Sequence, residues 1–86
     1  MINELLLNKK IEYGTIEITG ASNQWGWTSI TFQKKYSSAP KVFIQEYSNS
    51  FAPISTTIIN LTTTGCNVGI WNNANKHKYY YLVIGE

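Results

Sequence analysis

Apolar and polar residues alternate along most of this chain with the two-residue period of β-strands. Thr15-Ile16-Glu17-Ile18-Thr19 lies between Gly14 and Gly20 and alternates throughout. In Thr28 to Phe32 the same spacing puts Ile30 and Phe32 on one face. Lys41 to Tyr47 sets Val42 and Ile44 on one side, Phe43 and Tyr47 on the other. Ser55 to Thr62 is rich in Thr and Ile, which suit a pleated surface. Cys66, Val68 and Ile70 share a face of the next strand. Tyr79 to Ile84 forms the last, with Tyr80 opposite Tyr79 and Tyr81. Turn compositions separate these runs: Ala21-Ser22-Asn23-Gln24, Ser37-Ser38-Ala39-Pro40, residues 48–53, Thr63-Thr64-Gly65, and Asn72 to Lys76. The only helical spacing is Ile2, Leu5 and Leu6 within residues 2–10, too short to be stable alone. Six short strands without a crossover helix predict an all-β, six-stranded antiparallel sandwich or barrel. Residues 1–12 then form an N-terminal segment, a candidate trimerisation junction, ahead of a β-sandwich domain over 13–86.

Several strands are apolar on both faces. Ile58 and Ile59 are adjacent, as are Val42, Phe43 and Ile44, and Leu82, Val83 and Ile84. One face can fill a core; the other needs a cover, or it stays an exposed patch. Length sharpens the point. A chain of 86 residues buries only about 60–65% of its unfolded surface. Cys66 and His77 are the only residues of their kinds, so neither an internal disulfide nor a thiolate zinc site can add stability. The expectation is a symmetric homo-oligomer, with residues 2–10 near its axis.

Charged residues are 14% of the chain, with no Arg and no Asp, so Asn, Ser and Thr must supply the polar surface. Such a surface suits neutral hydrogen-bonding ligands and also suits β-sheets in general. The lysines are scattered as Lys9–Lys10, Lys34–Lys35 and Lys76/Lys78, short of a polybasic arm. A small aromatic barrel for single-stranded nucleic acid is therefore the weaker alternative, and no nucleic acid partner is expected. No 18-residue apolar run exists to insert in a membrane. Residues 1–8 lack the basic start and apolar length of a signal peptide.

Candidate chemistry is sparse. Cys66 and His77 could pair as nucleophile and base, but Cys66 shares the apolar face of Val68 and Ile70, where a cysteine is ordinarily a small buried hydrophobe. His77, between Lys76 and Lys78, reads as a solvated loop residue or a ligand contact. Glycoside hydrolysis commonly needs two facing carboxyls; Glu17 and Glu46 could be cross-strand neighbours, yet all five glutamates read as surface residues. No catalytic residue, metal site or cofactor is expected. Recognition is better supplied. Trp25 and Trp27 flank Gly26 after one polar loop, and Trp71 opens another. An indole face can lie on the C–H face of a pyranose, and Asn both donates to and accepts from hydroxyls. The candidate ligand-binding residues are Asn23, Gln24, Trp25, Trp71, Asn72, Asn73, Asn75 and His77. Trp27 reads as a core or interface anchor, and the tyrosine strand as subunit packing.

The order of these pieces resembles one family. Trp27-Thr-Ser-Ile-Thr-Phe32, Tyr36-Ser-Ser-Ala-Pro-Lys-Val42, Thr63-Thr64-Gly65-Cys66-Asn67-Val68 and Tyr81-Leu82-Val83-Ile84-Gly85 resemble, in sequence order, motifs of the H-type lectin domain and the related C-terminal domains of phage tail fibres. Cys66 and Tyr81 stand where that family usually has Phe and Trp, and the Asp and Arg with which its lectin members often grip sugar are absent. The resemblance implies a sandwich that trimerises and binds a host cell-surface glycan. It also implies a fibre remainder as partner and the virion tail as location. A trimeric cap without its own ligand is the other reading.

Overall fold

The computed structural model describes residues 9–47 and 55–86. The described chain is all β: β1 (Lys10–Thr19), β2 (Trp25–Thr31), β3 (Lys41–Glu46), β4 (Ser55–Ile59), β5 (Gly65–Trp71) and β6 (Lys76–Gly85). These form two three-stranded antiparallel sheets, ordered β1-β6-β3 and β2-β5-β4, the predicted sandwich. The predicted helix over 2–10 lies largely outside the described residues. Its last residue, Lys10, opens β1 and pairs with Gly85, so Lys10–Glu12, assigned to the N-terminal segment, belong to the first sheet. The predicted loop over 48–53 also falls outside the described residues.

Alternation decides the core. In the first sheet Ile18, Tyr79 and Val83 turn inward and are buried, with Ile16, Val42, Ile44 and Tyr81 packed against them. In the second sheet Ile30, Cys66, Val68 and Ile70 do the same, with Ile58 alongside. Phe32 and Tyr36 close one end edge-to-face, centroids 5.5 Å apart. Each fully buried side chain of this size contributes roughly 1.5–3 kcal/mol. The predicted facing of Val42 and Ile44 against Phe43 and Tyr47, and of Tyr80 against Tyr79, holds.

Among the described strands only β4 and β5 form a hairpin, closed by the Thr62 N–H donating to Gly65 O at 2.9 Å. The other described connections, β1–β2, β2–β3 and β5–β6, cross between sheets, so their backbone groups need partners outside a ladder. Glu12 supplies them for the link leaving β2. Although expected at the surface, Glu12 points inward and is 9% exposed. Its carboxylate accepts the N–H groups of Gln33 and Lys34 and the Tyr36 hydroxyl, each at 2.9 Å. Burial works against its ionisation, but these hydrogen bonds and the Lys34 charge outweigh it and hold the carboxyl below its ordinary value. Burial and the Glu12 carboxylate together push the Tyr36 phenol up to about 12, so it remains a donor.

A carboxyl whose folded pKa is lowered contributes stability that is complete above its unfolded value, about 4.3, and lost as pH falls through the folded one. Glu12→Ala is expected to cost about 2–3 kcal/mol at neutral pH by stranding three donors. Glu12→Gln should lose part of the acid-side slope of stability against pH. Urea titrations across the acid range check both; a Glu12→Gln slope equal to the parent's would remove Glu12 from this role.

Candidate functional site

The two polar loops predicted to carry recognition meet at one end of the sandwich. The β1–β2 turn reverses over Ser22-Asn23, with Ala21 bridged to Gln24, and the β5–β6 link spans 72–75. Asn23 and Asn72 sit at φ 59° and 56°, a left-handed conformation that Asn tolerates better than most residues. The loops are then zipped together. The Asn23 N–H donates to Asn72 Oδ1 at 2.7 Å. The Asn72 N–H donates to Gln24 O at 3.0 Å, and the Gly20 N–H to Asn75 O at 3.2 Å. Residues 49 positions apart in sequence thereby make one edge, on which Asn23, Gln24, Trp25, Trp71, Asn72 and Asn75 are exposed.

His77 lies behind that edge, and its reading as a loop side chain is corrected. It is the second residue of β6 and is 1% exposed. Nδ1 stands 2.6 Å from Glu46 Oε2 and Nε2 stands 2.8 Å from Asn73 Oδ1. Asn73 Oδ1 also accepts the Asn75 N–H at 3.0 Å, which fixes that atom as the amide oxygen. The His77 Nε2–H therefore donates to that oxygen, while Nδ1 faces the Glu46 carboxylate. Asn73 and His77 hold the loop to the first sheet, and of the predicted ligand contacts His77 is the buried one.

The three tryptophans gather on the outer face of the second sheet. Register places Trp25 beside Trp71 and Trp27 beside Gly69. Trp25 and Trp27 stack with centroids 5.3 Å apart and planes 25° apart, and Trp71 tilts 5.6 Å from Trp25. Sequence reading put Trp27 in a core or an interface; it is not in this core, being 44% exposed, beside 39% for Trp25 and 42% for Trp71. One glycine seats the cluster and another lets β2 pass close to β1. A Cβ on Gly69 would lie 2.4 Å from Trp27 Cζ3, so the indole rests on bare backbone. A Cβ on Gly26 would come within 2.6 Å of Thr19 O, where β2 passes the end of β1. The Gly26 spacing between the two indoles was visible in the sequence; the role of Gly69, forty-odd residues away, was not.

No nucleophile–base pair forms from Cys66 and His77. Cys66 is 5% exposed, its thiol pushed up by burial, at the far end of β5 from Trp71. The suggested carboxyl pair is also corrected. Glu17 faces outward beside Lys78, whereas Glu46 turns inward toward His77 on the opposite flank of β6.

No protein-family profile and no curated protein matches the chain. Solved structures do. The tailspike protein gp49 of Pseudomonas phage LKA1 superposes with a TM-score of 0.74 at 16% identity, over 88% of this chain and 15% of its own. The gp54 tailspike of Acinetobacter baumannii bacteriophage AP22, solved in complex with A. baumannii capsular saccharide, gives 0.70 at 14% over 91% and 17%. The tailspike gp61 of Pseudomonas phage phi297 gives 0.68 at 15% over 91% and 16%. The chain has the fold of one part of these phage tailspikes and spans less than a fifth of their length.

Asn73→Ala is expected to lower stability by about 1–3 kcal/mol, because it strands the His77 Nε2–H and the Asn75 N–H. The denaturant midpoint should fall with an unchanged slope. A variant as stable as its parent would show that the loop is held without this amide.

Proposed function

We propose that this chain is a binding module of a phage tail fibre or tailspike that recognises a host-surface glycan as a homotrimer. The observation that carries the reading is the union of Trp25 and Trp71 with the exposed Asn23, Gln24, Asn72 and Asn75 on one edge. Indole surface beside convergent amides is the composition that a sugar needs. The tailspike fold supports the setting, as does the capsular saccharide bound by one of those tailspikes. The resemblance of four sequence segments to H-type lectin motifs supports the same class. The chain acts by binding, without catalysis or cofactor.

The outer face of the first sheet suits subunit packing. Tyr13, Phe43 and Leu82 form one row across it, and Tyr80 stacks on Tyr47 with centroids 3.9 Å apart. Tyr13 is 81% exposed, and Phe43 and Tyr80 are 53% exposed each. Lys41 stands at one end of this face, Glu17 and Lys78 at the other. An apolar centre with a charged rim is the usual anatomy of a protein interface.

A glycan array that includes bacterial capsular polysaccharides tests the function on the full chain. Binding is expected to some surface polysaccharide, and Trp71→Ala should lose it with assembly unchanged. An array on which the parent binds nothing would leave the ligand-free trimeric cap as the better reading. Separately, sedimentation at micromolar concentration should show a trimer that Phe43→Glu with Tyr80→Glu dissociates. The dissociated variant should keep its single-site affinity and lose an avidity gain on the order of 10²–10⁴. A parent that sediments as a monomer would end the assembly proposal.

A further inference from the structure

Charge is distributed very unevenly between the two sheets. Strands β1, β3 and β6 contain Lys10, Glu12, Glu17, Lys41, Glu46, Lys76 and Lys78. Strands β2, β4 and β5 contain no charged residue at all. The uncharged sheet is the one that carries all three tryptophans on its outer face. Beyond the indoles that face turns mixed, its register running on from Trp27, Gly69 and Thr57 to Ser29, Asn67 and the exposed Ile59. The Ser29 hydroxyl donates to Asn67 Oδ1 at 2.9 Å, which leaves the Asn67 amide N–H groups and the Ser29 lone pairs for another partner.

We propose that this face is a platform for a neutral saccharide chain. The sugar rings lie along β2 across Trp71, Trp25 and Trp27 and are hydrogen-bonded beyond them by Ser29 and Asn67. The inference rests on the glycan-binding reading above and deepens it. It moves the ligand from the loop edge onto the sheet, adds Trp27, Ser29 and Asn67 to the contacts, and names the chemical class.

Three features argue for this occupant over a protein. Trp27 lies on Gly69 with no side chain lifting it off the sheet, and its stack with Trp25 is offset, so part of each indole stays open. Open indole surface followed by hydroxyl and amide groups matches a pyranose chain, whose rings present C–H faces and hydroxyl rims in turn. A protein interface has its own better candidate, the charge-rimmed aromatic face of the first sheet. Finally, a carboxylate-bearing sugar would find no cation within these three strands and would lose hydration without compensation, which selects against uronic and sialic acids. From Trp25 to Ser29 the strand runs about 13 Å, room for a short run of rings, so affinity should grow with chain length before levelling off.

Intrinsic tryptophan fluorescence of the full chain, titrated with neutral hexose oligosaccharides from mono- to hexasaccharide and with uronate-bearing oligosaccharides of equal length, tests this. The expected result is a length-dependent response to neutral probes that is unchanged between low and high salt and far weaker for the uronates. Trp27→Ala should weaken binding by about tenfold or more. Asn67→Ala, a polar surface change that leaves the indoles in place, should weaken it for the longer probes only. If both variants bind as the parent does while Trp71→Ala does not, the platform is wrong and glycan binding at the loop edge stands. If the parent binds no probe and no array polysaccharide, the glycan reading itself fails. A change of sedimentation on Trp27→Ala would make this face a contact between copies and would overturn the platform.

Discussion

The shared core between two three-stranded sheets is the constraint from which the rest follows. It is one side chain deep on each side, and it uses only the inward half of every strand. Ile18, Val68, Ile70 and Val83 are fully buried there, so the residues between them must face out, whatever their chemistry. That is how large aromatic side chains come to stand on both outer faces of so small a domain. Neither face can retreat inward without moving its whole strand by one residue and emptying the core.

Because the strands pass from sheet to sheet, connections become the weak points, and a buried polar side chain stitches each of two ends. Near the start of β1, Glu12 gathers the link leaving β2 through two backbone N–H groups and Tyr36. At the opposite end, where β1 pairs Ile18 with His77, the imidazole gathers the link between β5 and β6 through Asn73. Each is costly to bury unpaired and inexpensive when saturated. These two stitches position the edge and face that we assign to recognition. The 72–75 link that Asn73 and His77 tie to the first sheet is the one whose Asn72 accepts from Asn23.

The two outer faces then divide the work. The first sheet keeps the strand charges and an exposed tyrosine and phenylalanine centre; the second keeps the tryptophans and no strand charge. On the function we propose, a glycan surface and an assembly surface would lie on opposite sides of one sandwich, an arrangement in which several copies could face a cell together and weak sites act jointly. The tailspikes that share the fold place such a unit within much longer chains.

Period-two alternation by itself determined the all-β class, the six strands and the facing of nearly every core residue, because burial on one face of a pleated strand leaves that imprint directly in sequence. Composition, in turn, singled out the two polar loops and two of the tryptophans as candidate recognition elements. Pairing decided the remainder. Glu12 reads as a surface carboxylate until β1 extends back to Lys10 and turns it toward the 33–36 link. His77 reads as a loop residue until β6 extends back to Lys76 and points it inward. Trp27 reads as a core or interface anchor, and register sets it over Gly69 on the outer face, outside this core. In each case the deciding partner lies more than twenty residues away, and alternation records which side of a strand is buried but not what stands across from it.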